Sequence, residues 1–193
     1  YICVANSTGN APSSSGTAHA SWNYVAKGVD QSIVQSKFQR FNSIVSMTST
    51  TYADTGMTLT MTPTSASNKL VLQGSISVSS EDDTTLCLIV MMDSGSGFSE
   101  PEETRGPDRA SRSRCAYSWG YQEGGEEEYT IKPLAFYSVI DCDNTNAHTV
   151  KIQMANRDGT GKQVLINRSY HDNNAQWMSS PTSHITLSEV EMS

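Results

Sequence analysis

The side chains best equipped for chemistry here are the carboxylates, histidines and cysteines, and their spacing decides what they can do. Two carboxylates flanking a glycosidic bond can cleave it, one as acid and one as base or nucleophile. Glu81, Asp82 and Asp83, then Glu100, Glu102 and Glu103, then Glu123, Glu126, Glu127 and Glu128 supply that residue type. They stand in polar runs beside Gly and Pro, the setting of solvated loops with ordinary acidity. His19, His148, His171 and His184 are scattered near turns and strand starts, and Cys3, Cys87, Cys115 and Cys142 contain no Cys-x-x-Cys. Neither set has metal-ligand spacing. Gly-x-Ser-x-Gly, phosphate-cradling loops and His-Glu-x-x-His are absent from the sequence. The expectation is a non-enzymatic protein with no catalytic residues, no metal and no cofactor. Cys87 and Cys142 lie in apolar runs and read as buried thiols, with a disulfide as the alternative.

The sharpest local feature is "CAYSWGY", in which Cys115, Tyr117, Trp119 and Tyr121 would share one face of a strand. Aromatic rings on a surface strand stack on sugars or anchor protein interfaces. Tyr117, Trp119 and Tyr121 are therefore the candidate ligand-binding residues, and core or subunit packing is the competing reading. They end a long connection, residues 93–128. It holds one acidic cluster, then Arg105, Arg109, Arg112 and Arg114, then a second acidic cluster. Long insertions between strands are where function tends to be carried. Charged groups beside aromatic faces suit glycan recognition. The alternative is that the arginines neutralise the flanking glutamates across a subunit boundary. "NRS" at 167–169 matches the N-glycosylation sequon, although the strand pattern around it accounts for these residues without a glycan.

The elements that must position these residues are strands. Met57, Leu59 and Met61 alternate with Thr58, Thr60 and Thr62, and Pro63 ends the run. After a "PTSASN" turn, Leu70, Leu72, Gly74, Ile76 and Val78 alternate with Val71, Gln73, Ser75 and Ser77. A period of two gives each strand one buried face, as antiparallel sheets over a single core require. "TLCLIVMMD" is apolar on both faces, which predicts a central strand whose outer face is covered, a neighbouring subunit being the expected cover. "TIKPLAFYSVIDC", "HTVKIQMAN", "KQVLINRS" and "SHITLSEVEM" supply further strands, joined by "DNTN", "RDGTG" and "HDNN" turns. About eight short strands and no convincing helix predict an all-β fold, an antiparallel β-sandwich or jelly roll.

With 193 residues and a formal charge of −7, the chain suits one main domain and a non-nucleic-acid partner, since phosphate binding needs clustered Lys and Arg. No apolar run reaches the ~20 residues of a membrane-spanning helix. The sequence opens at Tyr1 without Met, which suggests the C-terminal part of a longer polypeptide. Residues 1–28 are Ser-, Gly- and Ala-rich and read as a small N-terminal module followed by a linker at "KGVD", with the sandwich over 29–193.

Tyr1, Cys3, Pro12, Trp22 and Gly28 in "YICVANSTGNAPSSSGTAHASWNYVAKG" carry a resemblance to a short Tyr-x-Cys…Trp module of bacteriophage tail fibres, itself similar to small carbohydrate-binding modules of chitinases. From about Val34 onward, "SMTSTTYADTGMTLTMTPTSASNKLVL", "VLINRSYHD" and "SHITLSEVE" resemble a β-sandwich domain of tail-fibre and other virion proteins, especially of marine phages. The resemblance implies a structural virion protein, a tail-fibre or spike component involved in host attachment. It implies a homotrimer, contacts with other virion proteins, and a host surface glycan or protein as receptor, with no membrane insertion. Two rival expectations are a capsid decoration or capsid-fibre protein without a receptor, and an accessory carbohydrate-binding domain of a secreted enzyme.

Overall fold

The computed structural model describes residues 2–3, 22–23, 32–81, 84–120, 130–159, 161–171 and 179–191. Among the described residues twelve strands are formed: β1 (Ile2–Cys3), β2 (Trp22–Asn23), β3 (Ile33–Phe41), β4 (Val45–Met47), β5 (Ala53–Met61), β6 (Lys69–Ser80), β7 (Thr85–Asp93), β8 (Tyr117–Gly120), β9 (Lys132–Asp141), β10 (His148–Asn156), β11 (Val164–Ile166) and β12 (Ser183–Val190). A 3-10 turn is formed at Glu102–Thr104. β1 and β2 pair with each other alone, Cys3 opposite Trp22. The remaining strands make two antiparallel sheets. One runs β5-β10-β7-β8; the other runs β3-β12-β6-β11-β4, with β9 on the free side of β6.

The period-two pattern decides which side of each strand is buried. Met57, Leu59 and Met61 of β5 face inward, as do Leu86, Leu88 and Val90 of β7 and Val150, Ile152 and Met154 of β10. Against them the second sheet sets Leu70, Leu72, Ile76 and Val78 of β6, Phe136 and Ile140 of β9, and Ile185 and Leu187 of β12. Each fully buried Leu or Ile is worth about 2 kcal/mol of transfer free energy, so this double layer is what holds the sheets together. The threonines alternating with the core residues of β5 bond across the ladder instead. The Thr58 hydroxyl donates to the Val150 carbonyl at 3.1 Å, and the Thr60 and Thr149 hydroxyls meet at 2.9 Å.

Gly74 sits where β6 passes closest to its neighbours: a Cβ there would lie 2.3 Å from the His184 carbonyl oxygen and 2.9 Å from the Phe136 ring. At one end of the sandwich the carboxylate of Glu189, fully buried, collects four hydrogen bonds. Gln35 Nε2 and Asn68 Nδ2 donate at 2.6 Å, and the Thr64 backbone N–H and hydroxyl donate at 2.7 and 2.8 Å. Burial pushes its pKa up, but these donors outweigh burial and bring it down to about 2.

Two sequence expectations change here. The "KQVLINRS" strand is only three residues long, because Asn167 leaves it with φ of 62°. Its side chain is buried, Nδ2 donating to the Phe41 and Ser43 carbonyls at 2.8 and 3.0 Å and Oδ1 accepting from the Ser183 hydroxyl at 2.7 Å. The sequon is thus a structural knot with no exposed amide for a glycan. The outer face of β7, expected to need a neighbouring subunit, is covered by this chain itself. Cys87 and Ile89 are 3% and 6% exposed. Residues 94–116 fold back along β7, starting with a two-way backbone bridge between Met92 and Ser99. Phe98 stacks under the Lys151 ammonium at 4.1 Å, and Arg157 reaches from the end of β10 to the Ser113 hydroxyl at 3.0 Å. Those contacts roof the strand without any second copy.

Candidate functional site: the open face of the six-stranded sheet

The register of β3, β12, β6 and β9 lines up four rows of side chains on the outer side of that sheet. Across the strands they read Ile33–Val190–Lys69–Asp141, Ser36–Ser188–Val71–Val139, Phe38–Thr186–Gln73–Tyr137 and Arg40–His184–Ser75–Ala135. The large apolar groups of these rows stand on the two flanking strands. Phe38 (63% exposed) and Ile33 (68%) form one wall; Tyr137 (61%) and Val139 (38%) form the other. Between Ile33 on one side and Tyr137 and Val139 on the other lies a groove of about 380 Å³ floored by Lys69, Val71, Gln73, Ser188 and Val190. A second hollow of about 270 Å³ continues it past Tyr137, over Gly74, Thr186 and His184.

The centre of this face is neutral. Its charges are at the margin, where Lys69 and Asp141 pair with each other across β6 and β9 at one end of the rows and Arg40 stands at the other. Exposed aromatic and aliphatic groups at the centre, hydroxyls and an amide on the floor and charges at the rim match the composition of protein interfaces. The sequence signal for this face was present in "TIKPLAFYSVIDC". There Ala135, Tyr137 and Val139 make the second side as apolar as the first, the same pattern that singled out 86–92. The walls contributed by Ile33 and Phe38 had no such signal, since β3 alternates with Gln, Ser, Lys and Arg.

The residues predicted to bind a ligand lie elsewhere. Tyr117 and Trp119, on β8, are half-buried against the core. The Tyr117 ring packs on Phe136 at 5.3 Å between centroids; its hydroxyl donates to the Tyr137 carbonyl at 2.8 Å and accepts from the Tyr137 N–H at 2.7 Å. It therefore clips the edge of one sheet to the edge of the other. Trp119 packs beside it, with the Lys132 ammonium 6.0 Å from its ring centroid. Tyr121 and the second acidic cluster lie outside the described residues. The first acidic cluster pairs within its own connection: Arg105 with Glu100 at 3.3 Å and with Glu102 at 3.0 Å, and Arg114 with Glu102. Burial raises the pKa of Glu100, against the pull of Arg105 and Arg114.

Among the described residues no three His, Cys, Asp or Glu side chains converge as a metal site. His148 is buried at the start of β10, its ring nitrogens 2.8 Å and 2.7 Å from the Asn146 and Cys142 carbonyls. His184 is exposed on the open face and His171 is half-buried, while His19 is outside the described residues. Cys87, Cys115 and Cys142 are free thiols. The chain matches no protein-family model and no curated protein.

Proposed function

We propose that the chain is a structural protein of a bacteriophage particle, a tail-fibre or spike component serving host attachment, and that it assembles on copies of itself through the open face of the six-stranded sheet. The observation that carries the assembly reading is the exposed Phe38, Ile33, Tyr137 and Val139 on that face, of which Ile33, Tyr137 and Val139 line its groove. A second copy is the favoured occupant because the centre of the face carries no charge to repel its like, the Lys69–Asp141 pair and Arg40 standing at opposite ends of the rows. A closed trimer is the arrangement that the resemblance to fibre proteins implies. The attachment role rests on that resemblance, carried by the residues from Val34 onward and by the Tyr1–Gly28 module. A capsid decoration protein without a receptor is the second reading.

Labelling the chain in assembled particles tests the role. Density at the tail tip supports attachment, density over the capsid shell transfers the proposal to the decoration reading, and a particle without the chain rejects both. In that last case a hydrolase encoded upstream of Tyr1 would favour an accessory carbohydrate-binding domain.

A further inference from the structure

Beneath the roof over β7 lie two thiols. Cys87 opposes Ser118 in the β7–β8 ladder, and Leu88 opposes Tyr117. The Ala116 N–H also donates to the Leu88 carbonyl, at 3.0 Å, so two residues of the incoming chain face one of β7. That bulge turns Cys115 to the outer side of the sheet, the side on which Cys87 lies. The two side chains lie near enough for each to perturb the other's ionisation, and Ser118 acts on Cys115 as well. Cys87 is 3% exposed; Cys115 is half-buried and open to solvent on one side. Tyr52, Glu100 and Arg157 are the other ionisable groups around the pair.

We infer that Cys87 and Cys115 form a reversible dithiol–disulfide pair, oxidised by a small-molecule disulfide that reacts first at Cys115. The Cys115 thiolate attacks one sulfur of the small disulfide, whose S–S bond breaks and releases one thiolate. The Cys87 sulfur then gives up its proton and attacks the Cys115 sulfur of the mixed disulfide; the second thiolate leaves and takes that proton. Two cysteines lose two electrons and the small disulfide gains them as two thiols. The asymmetry between the partners fits these roles. The neighbouring Cys87 side chain holds the Cys115 pKa below the ordinary thiol value, Ser118 and Arg157 adding to its effect against burial and Glu100. The same contact, with burial, pushes Cys87 up, as a resolving thiol that waits for its partner. Cys142, 1% exposed and pushed up to about 11 by burial, does not compete. The bond formed would tie the far end of the 94–116 connection to the strand it covers.

The test uses the full chain, oxidised glutathione as the disulfide, and non-reducing peptide mapping. Wild type should yield a peptide linked through Cys87 and Cys115. Cys87→Ser should stop at a glutathione adduct on Cys115. Cys115→Ser should lower the rate at which Cys87 is modified at least about tenfold, because Cys87 alone is buried. Two free thiols at 87 and 115 after wild type has consumed the reagent, a bridge to Cys3 or Cys142 instead, or unchanged reactivity in Cys115→Ser would overturn the inference. The wild-type map decides the matter even where Cys87→Ser, at a buried site, fails to fold.

Discussion

β7 and β9 begin as the same kind of strand, apolar on both sides, and end in opposite situations. The outer side of β7 is roofed by the chain's own 94–116 connection, which leaves Ile89 6% exposed, whereas the outer side of β9 keeps Tyr137 and Val139 in the open at 61% and 38%. The difference lies in the path the chain takes on leaving each strand. After Asp93 the chain turns back on itself, with the Gly95 and Gly97 N–H groups donating to the Asp93 carboxylate at 2.8 and 2.9 Å. After Asp141 it crosses directly to β10 in the other sheet. A doubly apolar strand thus announces a cover without naming it. One strand found its cover in cis, and the surface of the other is free for a partner in trans.

The same substitution placed on each side should separate the two cases most widely. Ile89→Lys puts a desolvated charge in the packed space under the roof, and burying a charge there is worth about 3–5 kcal/mol of destabilisation. Val139→Lys, on the open face, should move the denaturant midpoint of the single chain by no more than about 0.5 kcal/mol. Equal losses at both sites would erase the distinction between covered and open faces. Somewhat smaller is the effect expected inside the six-stranded sheet. Gly74→Ala pushes a methyl toward the His184 carbonyl, 2.3 Å away, and should cost about 3 kcal/mol by chemical unfolding. That would show the sheet to be tightly packed inward even though its outer side is bare.

Acid probes the edge of the open face next. Glu189 has a folded pKa of about 2 against an ordinary 4.5, so the stability it adds is complete above pH 4.5 and fades as pH falls toward 2. The difference in unfolding free energy between wild type and Glu189→Gln should therefore shrink over that window. A difference that is constant from pH 5 to pH 2 would deny Glu189 its role at the β12–β3 edge. The smallest effect belongs to the surface ion pairs of the roof. Glu102→Gln removes the partner that Arg105 and Arg114 share, and the expected outcome is a modest rise in tryptic cleavage between Arg105 and Arg114 with the melting temperature nearly unchanged.

Fold class was written in the sequence because side-chain period and burial are local: Met57, Leu59 and Met61 face inward as their alternation predicts, and so do Leu70, Leu72, Ile76 and Val78. The candidate site was harder to read. "CAYSWGY" has the composition of a binding platform. Whether its rings face solvent depends on the partner sheet, and here Phe136 and the Tyr137 backbone occupy Tyr117. The open face, in turn, is built from strands 33–41, 69–80, 132–141 and 183–190, which only long-range pairing brings together. Asn167 gave the same lesson, as a sequon by spelling and a buried triple hydrogen bond in space.

The most direct test of the central claim is the mass of the native chain in solution at micromolar concentration, by mass photometry or sedimentation, beside that of Tyr137→Glu. The account predicts a closed oligomer, a trimer, for the wild type. Tyr137→Glu should give a folded single chain, because the charge falls on an exposed position and spoils only the apolar contact between copies. A wild-type chain that sediments as one copy, or an oligomer indifferent to Tyr137→Glu, would contradict it.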